Sequence, residues 1–265
     1  MNKQEVIKKF APDEEGKLVL ARVLDKLTES EEKDILTYTK FLNEQQQHLA
    51  SCMLKSLKSS RHFFAGGYEG AQRVILYFLP TYLEPELINA NDILPLAAVR
   101  VEYPAECTLS HRDFLGSLMG LGQTRETVGD ILVGQGSCDL VVLEEIKTYL
   151  LANWEAVGRV KVKTTAVPLA DLRVPEEKYV LIKDTVASLR LDNIISAGFA
   201  LSRSKAGEAL AAGRVRLNYL ECMKSDKLVQ AGDVISLKGK GKIKLEEISH
   251  QTKKGRMAIV IKKYL

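Results

Sequence analysis

The chain has no cysteine pair of the C-x-x-C kind. Cys52, Cys107, Cys138 and Cys222 stand far apart, and His48, His62, His111 and His250 are equally scattered. Zinc sites and disulfide frameworks need clustered ligands, so neither is expected, and isolated thiols suit a reducing cytoplasm. No apolar run approaches the ~20 residues of a membrane-spanning helix, and the opening MNKQEVIKKF is polar, without a signal-peptide core. The glycine-rich residues 116–130 lack the G-x-x-x-x-G-K-[ST] spacing of a P-loop and the strand–G-x-G-x-x-G–helix setting of a dinucleotide site, so no nucleotide cofactor is expected. A catalytic set is missing too. His111-Arg112-Asp113 puts His and Asp two residues apart, but no nucleophile or second carboxylate stands nearby.

What is present is length for about two domains, with the composition of an ordinary globular protein. The net charge of +4 is unevenly shared. Residues 181–265 hold 17 Lys+Arg against 8 Asp+Glu, a net of +9; residues 1–180 hold 21 against 26, a net of −5. A basic last third is expected of a domain that meets a polyanion.

Residues 1 to about 62 read as helical. Val19, Val23 and Leu27, then Ile35, Leu36 and Leu42, then Leu49, Met53, Leu54 and Leu57 fall at helical spacings. Gly66-Gly67-Tyr68-Glu69-Gly70 breaks the pattern. Strands are expected at 73–79, 96–103, 130–133, 138–142 and 159–165, and helices at 110–119 and 143–154, with a loop marked by Pro80, Pro85 and Pro95. Taken as ββαββαβ, this is a mixed sheet with helices on one face, an RRM-like α+β layer. Pro168 and Pro175 flank a connector ending near Glu177, followed by a strand at 178–184. The resulting division is an N-terminal helical region 1–70, a central α+β domain 71–167, a connector 168–180 and a C-terminal RNA-binding domain 181–265.

The last domain opens with a helix at 191–197, which Gly198 is expected to stop, and a second at 203–212, with Ser202 as N-cap and Gly213 after its end. Val215 and Leu217 then alternate with Arg214, Arg216 and Asn218, a strand pattern. Strands near 234–237, 243–248 and 257–261 close the domain. The basic turns Lys238-Gly239-Lys240-Gly241-Lys242 and Lys253-Lys254-Gly255-Arg256 join them. Arg190 begins the first helix, and Arg203 and Lys205 sit in the first turn of the second. Helix N-termini offer N–H groups to phosphate, and arginine adds a bidentate anion contact. Cations there oppose the helix dipole, a local conflict that a bound anion resolves. The candidate RNA contacts are Arg190, Ser202, Arg203, Lys205, Arg214, Arg216, Asn218, Lys238 and Lys240; the competing reading is a solvated surface. A pair of helices without an aromatic platform suits folded RNA better than single strands. For His111 and Arg112, Ser110 with Asp113 three residues on reads first as a capping box; a secondary binding role stays open.

The run Arg190-Leu191-Asp192, Ser202 to Ala206, Ala211 to Asn218 and Ala231 to Ile235 resembles the S4-type RNA-binding domain over roughly residues 183–241. Tyr219 departs from that family, which has Gly after the Asn. The segment H-R-D-F-L-G-S-L-M-G-L-G from His111, with Arg125 and Val128-Gly129-Asp130-Ile131, is similar to the YlmH family. So are Phe41-Leu42 and Gly66-Gly67-Tyr68-Glu69-Gly70-Ala71. The resemblance implies a bacterial, cytoplasmic, non-enzymatic and monomeric factor that binds ribosomal RNA and tRNA on the large subunit. Its expected target is obstructed subunits carrying peptidyl-tRNA, in ribosome-associated quality control and the tailing of stalled chains; family members have also been linked to cell division. Two other classes remain. A pseudouridine synthase-like enzyme is suggested by R-L-D, but too few residues follow Asp192 for its catalytic domain. A cell-division adaptor would leave the basic tail incidental.

Overall fold

The computed structural model describes residues 3–83, 95–176, 178–251 and 255–265; Pro85, Glu177, Lys253 and Lys254 lie outside them. The chain divides into two compact units, Met1–Pro175 and Glu176–Leu265.

The first unit begins with helices α1 (Lys3–Phe10), α2 (Glu14–Lys33) and α3 (Glu44–Ser56), packed on one another. Val19, Leu20, Val23, Leu24 and Leu27 of α2 and Leu49, Ala50, Met53 and Leu54 of α3 are their buried stripes. The starts are capped: Asp13 Oδ1 accepts from Gly16 N at 2.7 Å, and Asn43 and Gln46 cap each other reciprocally at 2.9 Å. The region is not helical throughout. A two-residue strand β1 (Thr37–Tyr38) pairs with β3 (Ile75–Phe78), which pairs with β2 (His62–Ala65), all antiparallel. Its buried Thr37 donates to the Lys26 carbonyl at 2.7 Å. So short a strand leaves no period to read.

The second layer contains β4 (Leu96–Glu102), α4 (His111–Gly120), β5 (Val128–Val133), β6 (Ser137–Leu143) and α5 (Glu144–Asn153). The hairpin of β7 (Ala156–Val157) with β8 (Val160–Lys161) precedes β9 (Lys163–Val167). The sheet order is β5-β6-β4-β9, and every pairing is antiparallel. This is the split βαβ arrangement: α4 joins two strands that run alike, but the β5–β6 hairpin sets β6 between them. The expected RRM-like layer is therefore present, with an antiparallel rather than a mixed sheet, and the strand near 73–79 belongs to the β1-β3-β2 sheet. Phe114, Leu118, Leu150 and Trp154 pack the helices on Val99, Val101, Leu140 and Val142.

The opposite face of this sheet is also covered. Leu96, Val141 and Leu143 pack with Phe41, Ile75 and Tyr77, and Leu169 and Leu172 close over them. On that face Arg100 makes a two-pronged bond to Asp139, 2.7 Å on each oxygen. Arg100 also donates to the Asp171 carbonyl at 2.8 Å, and Arg173 N donates to Asp139 at 2.8 Å. These bonds clip the 168–173 segment onto the sheet.

The second unit contains β10 (Tyr179–Val186), α6 (Leu191–Phe199), α7 (Arg203–Ala211), β11 (Val215–Leu217), β12 (Leu220–Glu221), β13 (Val234–Leu237), β14 (Gly241–Gln251) and β15 (Met257–Tyr264). Its antiparallel sheet has the order β10-β15-β14-β13-β11-β12. Leu191, Ile194, Ile195, Phe199, Ala206 and Leu210 of the helices pack on Val215, Ile235, Ile243, Leu245, Ile259 and Ile261. Gly198 does not stop α6. The helix runs through it to Phe199, and Ala200 takes the left-handed cap at φ 52°. Glycine at 198 leaves room for packing: a Cβ there would lie 2.4 Å from Ile243 Cδ1, and that side-chain end would have to shift.

Candidate nucleic-acid interface

Asp192 organises the start of the helix pair. Its side chain is 9% exposed and accepts from Arg190 Nε and Nη2, both at 3.2 Å, and from Arg203 Nη2 at 3.1 Å. One carboxylate thus ties the residue before α6 to the first residue of α7. Burial alone would raise its pKa. The hydrogen bonds and charges of Arg190 and Arg203 outweigh that and hold it below the usual carboxylate value. The Asp192 hydrogen bond in turn raises the Arg190 guanidinium. Both arginines keep exposed surface, 38% and 61% of their side chains, so the pair is oriented without being buried.

The two helix N-termini differ. At α6, Leu191 N donates to the Lys227 carbonyl at 2.8 Å and Asp192 N to the Ser225 carbonyl at 3.2 Å, while Asn193 N is held by Asp192 and Arg190. The segment around Ser225–Val229 seals that end, so α6 does not present the expected phosphate pocket. At α7, Ser202 Oγ caps Lys205 N at 3.3 Å and the Ser202 carbonyl accepts from Ala206 N. Ser202, Arg203, Ser204 and Lys205 are all exposed. The α7 N-terminus is the one that can meet an anion. The sealing segment, bridged to Arg190 at Leu228, also carries exposed Lys224 and Lys227, with Asp226 between them close enough to act on the Arg190 charge. In the sequence both lysines are signalled only by their place in a charged stretch between two strands.

Arg214 and Lys238 are adjacent, since Lys238 N donates to the Arg214 carbonyl at 3.0 Å. Lys240 stands in the turn after β13. All three are exposed. Val215 and Leu217 are buried among the helices, so Arg216 between them projects from the sheet's other face, paired in the ladder with Ser236 and Glu221. The candidate cations therefore occupy two surfaces of the unit. The amide of Asn218 is used inside the protein: Nδ2 donates to Asp233 at 2.8 Å and Oδ1 accepts from Val234 N at 2.9 Å. Asn218 and Tyr219, at φ 48° and 68°, form the two-residue turn between β11 and β12. The tight turn is thus kept with tyrosine at a left-handed position that favours glycine.

In the first unit the residues resembling the YlmH family converge on one structural knot. Asp130, buried, accepts from Tyr68 Oη and Gln72 N, both at 2.7 Å, and from Arg73 N at 3.1 Å. Arg73 reaches the carbonyls of Val128, Phe41 and Arg125, and Arg125 those of Val128 and Gly129. Burial, and then the charge of Arg125, push Arg73 down to about 10. His111 is lowered by burial and by Arg125. Asp113 accepts from Ser110 N and Oγ, both at 2.7 Å, so the capping role stands and Arg112 is left exposed. A cavity of about 620 Å³ lies between α2 and residues 35–42. Its rim balances Arg22, Lys26 and Lys40 against Asp25, Glu29, Glu126 and Glu145, which gives a polyanion no net attraction. Among the described residues no cluster of His, Cys, Asp and Glu is arranged to hold a metal ion, and no helix is long and apolar enough to cross a membrane.

Residues 92–171 match the family described as "Putative RNA-binding domain in YlmH", and residues 189–235 match the S4 domain. The chain is 29% identical over 226 residues to Ribosome-associated protein quality control protein P2 of Bacillus subtilis (strain 168), covering 85% of this chain and 86% of that one. It is also similar to the solved structure of Cell division protein ylmH from Streptococcus pneumoniae, with a TM-score of 0.52 and 18% identity over 62% of this chain and 96% of that chain. At that identity the likeness is one of fold. Both domain types that the sequence resembles are thus matched, the first over the β5-β6-β4-β9 layer and the second over α6 to the start of β13.

Proposed function

We propose, from a chain that carries a YlmH-type RNA-binding domain followed by an S4 domain, that it is a non-enzymatic, cytoplasmic factor that binds structured RNA on the large ribosomal subunit. The observation that carries this is the exposed α7 N-terminus with Arg203 and Arg190 oriented by one buried carboxylate. Phosphate meets free N–H groups and a preset guanidinium there. Lys205, Lys224 and Lys227 add sequence-independent attraction, and Arg214, Lys238 and Lys240 extend it. The name of the Bacillus subtilis relative supports a place in ribosome-associated quality control. On this reading the target is an obstructed large subunit still carrying peptidyl-tRNA, where the protein contacts ribosomal RNA and tRNA as a monomer during tailing of the stalled chain. Among the described residues both faces of the first unit's RRM-like sheet are packed, so on this reading any RNA contact of that unit is made by its loops and helix surfaces, Arg112 included, and not by bases stacked on the sheet.

Arg203→Glu tests this directly. Co-sedimentation with large subunits is expected to be lost, with a shallower salt dependence of RNA binding. Unchanged co-sedimentation refutes the assignment. A pull-down whose partners survive nuclease would point to the adaptor reading instead.

A further inference from the structure

The face of the second unit's sheet turned away from α6 and α7 carries the aromatic chemistry that the helix pair lacks. Ile182 and Val186, Ile259 and Ile261, and Ile243 and Leu245 pack toward the helices. Alternation then puts Tyr179, Leu181 and Lys183 of β10, Lys262 and Tyr264 of β15, and Lys242 and Lys244 of β14 on the opposite face. The register sets Tyr179 beside Tyr264, and Leu181 beside Lys262 beside Lys244. Lys262 Nζ lies 4.3 Å from the Tyr179 ring centre and 5.1 Å from that of Tyr264, and Lys242 Nζ lies 4.7 Å from the Tyr264 ring. Tyr179 is 47% and Leu181 52% exposed. Through Ser236, Arg216 continues the row from Lys242. Four strand steps separate Arg216 from Tyr179, roughly 19 Å at the usual spacing, a width comparable to the sheets on which RRM domains stack two or three bases.

We propose that this face is a second RNA-binding surface, a stacking platform for the unpaired bases of a single strand. Tyr179 and Tyr264 offer ring faces, Leu181 an apolar floor, and Arg216, Lys242 and Lys262 the phosphate contacts. A base stacked on a ring is worth more than an exposed cation–π contact, so an arriving base displaces the ammonium, which turns to the neighbouring phosphate. Three carboxylates lie along this face among the described residues: Glu221 beyond Arg216, Glu246, which binds Lys244 at 3.1 Å, and Glu247, beside Val260 in the ladder. The cations named still outnumber them, so an anionic strand is the complementary occupant. Neither matched domain reaches Tyr179, Leu181, Lys242, Lys262 or Tyr264. The proposal does not depend on the helix-pair reading.

The test uses the full chain, a labelled unstructured uridine oligonucleotide and a labelled stable RNA hairpin, read by fluorescence anisotropy. Tyr179→Leu with Tyr264→Leu is expected to weaken single-strand binding on the order of tenfold to a hundredfold and to leave the hairpin unchanged; Arg203→Glu should do the reverse. Unchanged single-strand affinity in the double variant overturns the proposal. So does equal loss for both RNAs, absence of single-strand binding by the parent chain, or occupancy of the face by a protein that nuclease treatment does not release. If circular dichroism shows the double variant misfolded, Tyr179→Leu alone, on the edge strand, replaces it: a several-fold loss for the single strand supports the platform, and no loss sinks it.

Discussion

Replacing Asp192 by asparagine keeps the shape of the side chain and removes its charge. Asp192 accepts from two arginines, and its carboxyl is almost fully buried. Breaking a fully buried ion pair costs about 3–5 kcal/mol, because the remaining charge is stranded away from water. That limit does not apply here, since Arg190 and Arg203 are 38% and 61% exposed and can turn to solvent. What is lost is a set of long charge-assisted hydrogen bonds at 3.1–3.2 Å, partly screened; about 1–2 kcal/mol is the expected cost. In a unit of this size that lowers the melting temperature by about 4–8 °C per kcal/mol. Calorimetry of the full chain, with hydrogen exchange of the α6 and α7 amides, reads the effect. The pH dependence supplies a second check. The folded-state carboxyl titrates below its ordinary value, so its contribution is fully present above the unfolded value of about 3.9 and is lost as pH falls through the lower folded value. The gap between parent and Asp192→Asn should therefore be full at neutral pH and close in acid. No gap at pH 7, or one that stays constant in acid, refutes the role given to Asp192.

Tyr219→Gly sets opposed effects against each other in the β11–β12 turn. Relieving a left-handed non-glycine residue returns about 1–2 kcal/mol, glycine's extra unfolded freedom takes back about 0.5–1 kcal/mol, and the half-buried side chain's own contacts are lost; a denaturation midpoint close to the parent's is expected, and a large drop would contradict the strain assigned to this position. Asp139→Ala leaves Arg100, 13% exposed, without its carboxylate, and should cost the first unit about 3–5 kcal/mol, read from Trp154 fluorescence in denaturant. Gly129→Ala places a methyl 2.7 Å from Phe41 Cε1 and 3.1 Å from the Val141 carbonyl, and about 1–3 kcal/mol of overpacking is expected; unchanged stability would show that Phe41 is free to move.

Legibility in the sequence followed the range of the interactions. Long periodic helices and alternating strands were readable because local spacing decides them, and α2, α3, β4 and α7 formed close to where the pattern put them. What failed depended on partners distant in sequence. Gly198 reads as a stop signal, yet it lies inside α6, with Ile243 Cδ1 packed where a side chain would stand and Ala200 taking the left-handed cap. The start of α6 reads as an open anion site, yet it is sealed by carbonyls some 35 residues later in the chain, at Ser225 and Lys227. The basic helix pair was visible, whereas the carboxylate linking Arg190 to Arg203 was hidden in a three-residue motif whose role appears only once α7 is docked. The tyrosines of the outer face are not legible as a pair, because Tyr179 and Tyr264 sit at opposite ends of the unit's chain and meet only through the β10–β15 ladder.

The sealing of the first unit's sheet has a consequence for how sequence variants of this chain will behave. Ala98, Arg100, Asp139 and Val141 occupy the face that an open RRM-like layer would give to a ligand, and all four are engaged in packing or in the clip to residues 171–173. A deep mutational scan across that face should track cellular abundance, as lesions of a folded core do. Weakened RNA affinity at normal abundance should instead come from exposed cations, such as those of the second unit.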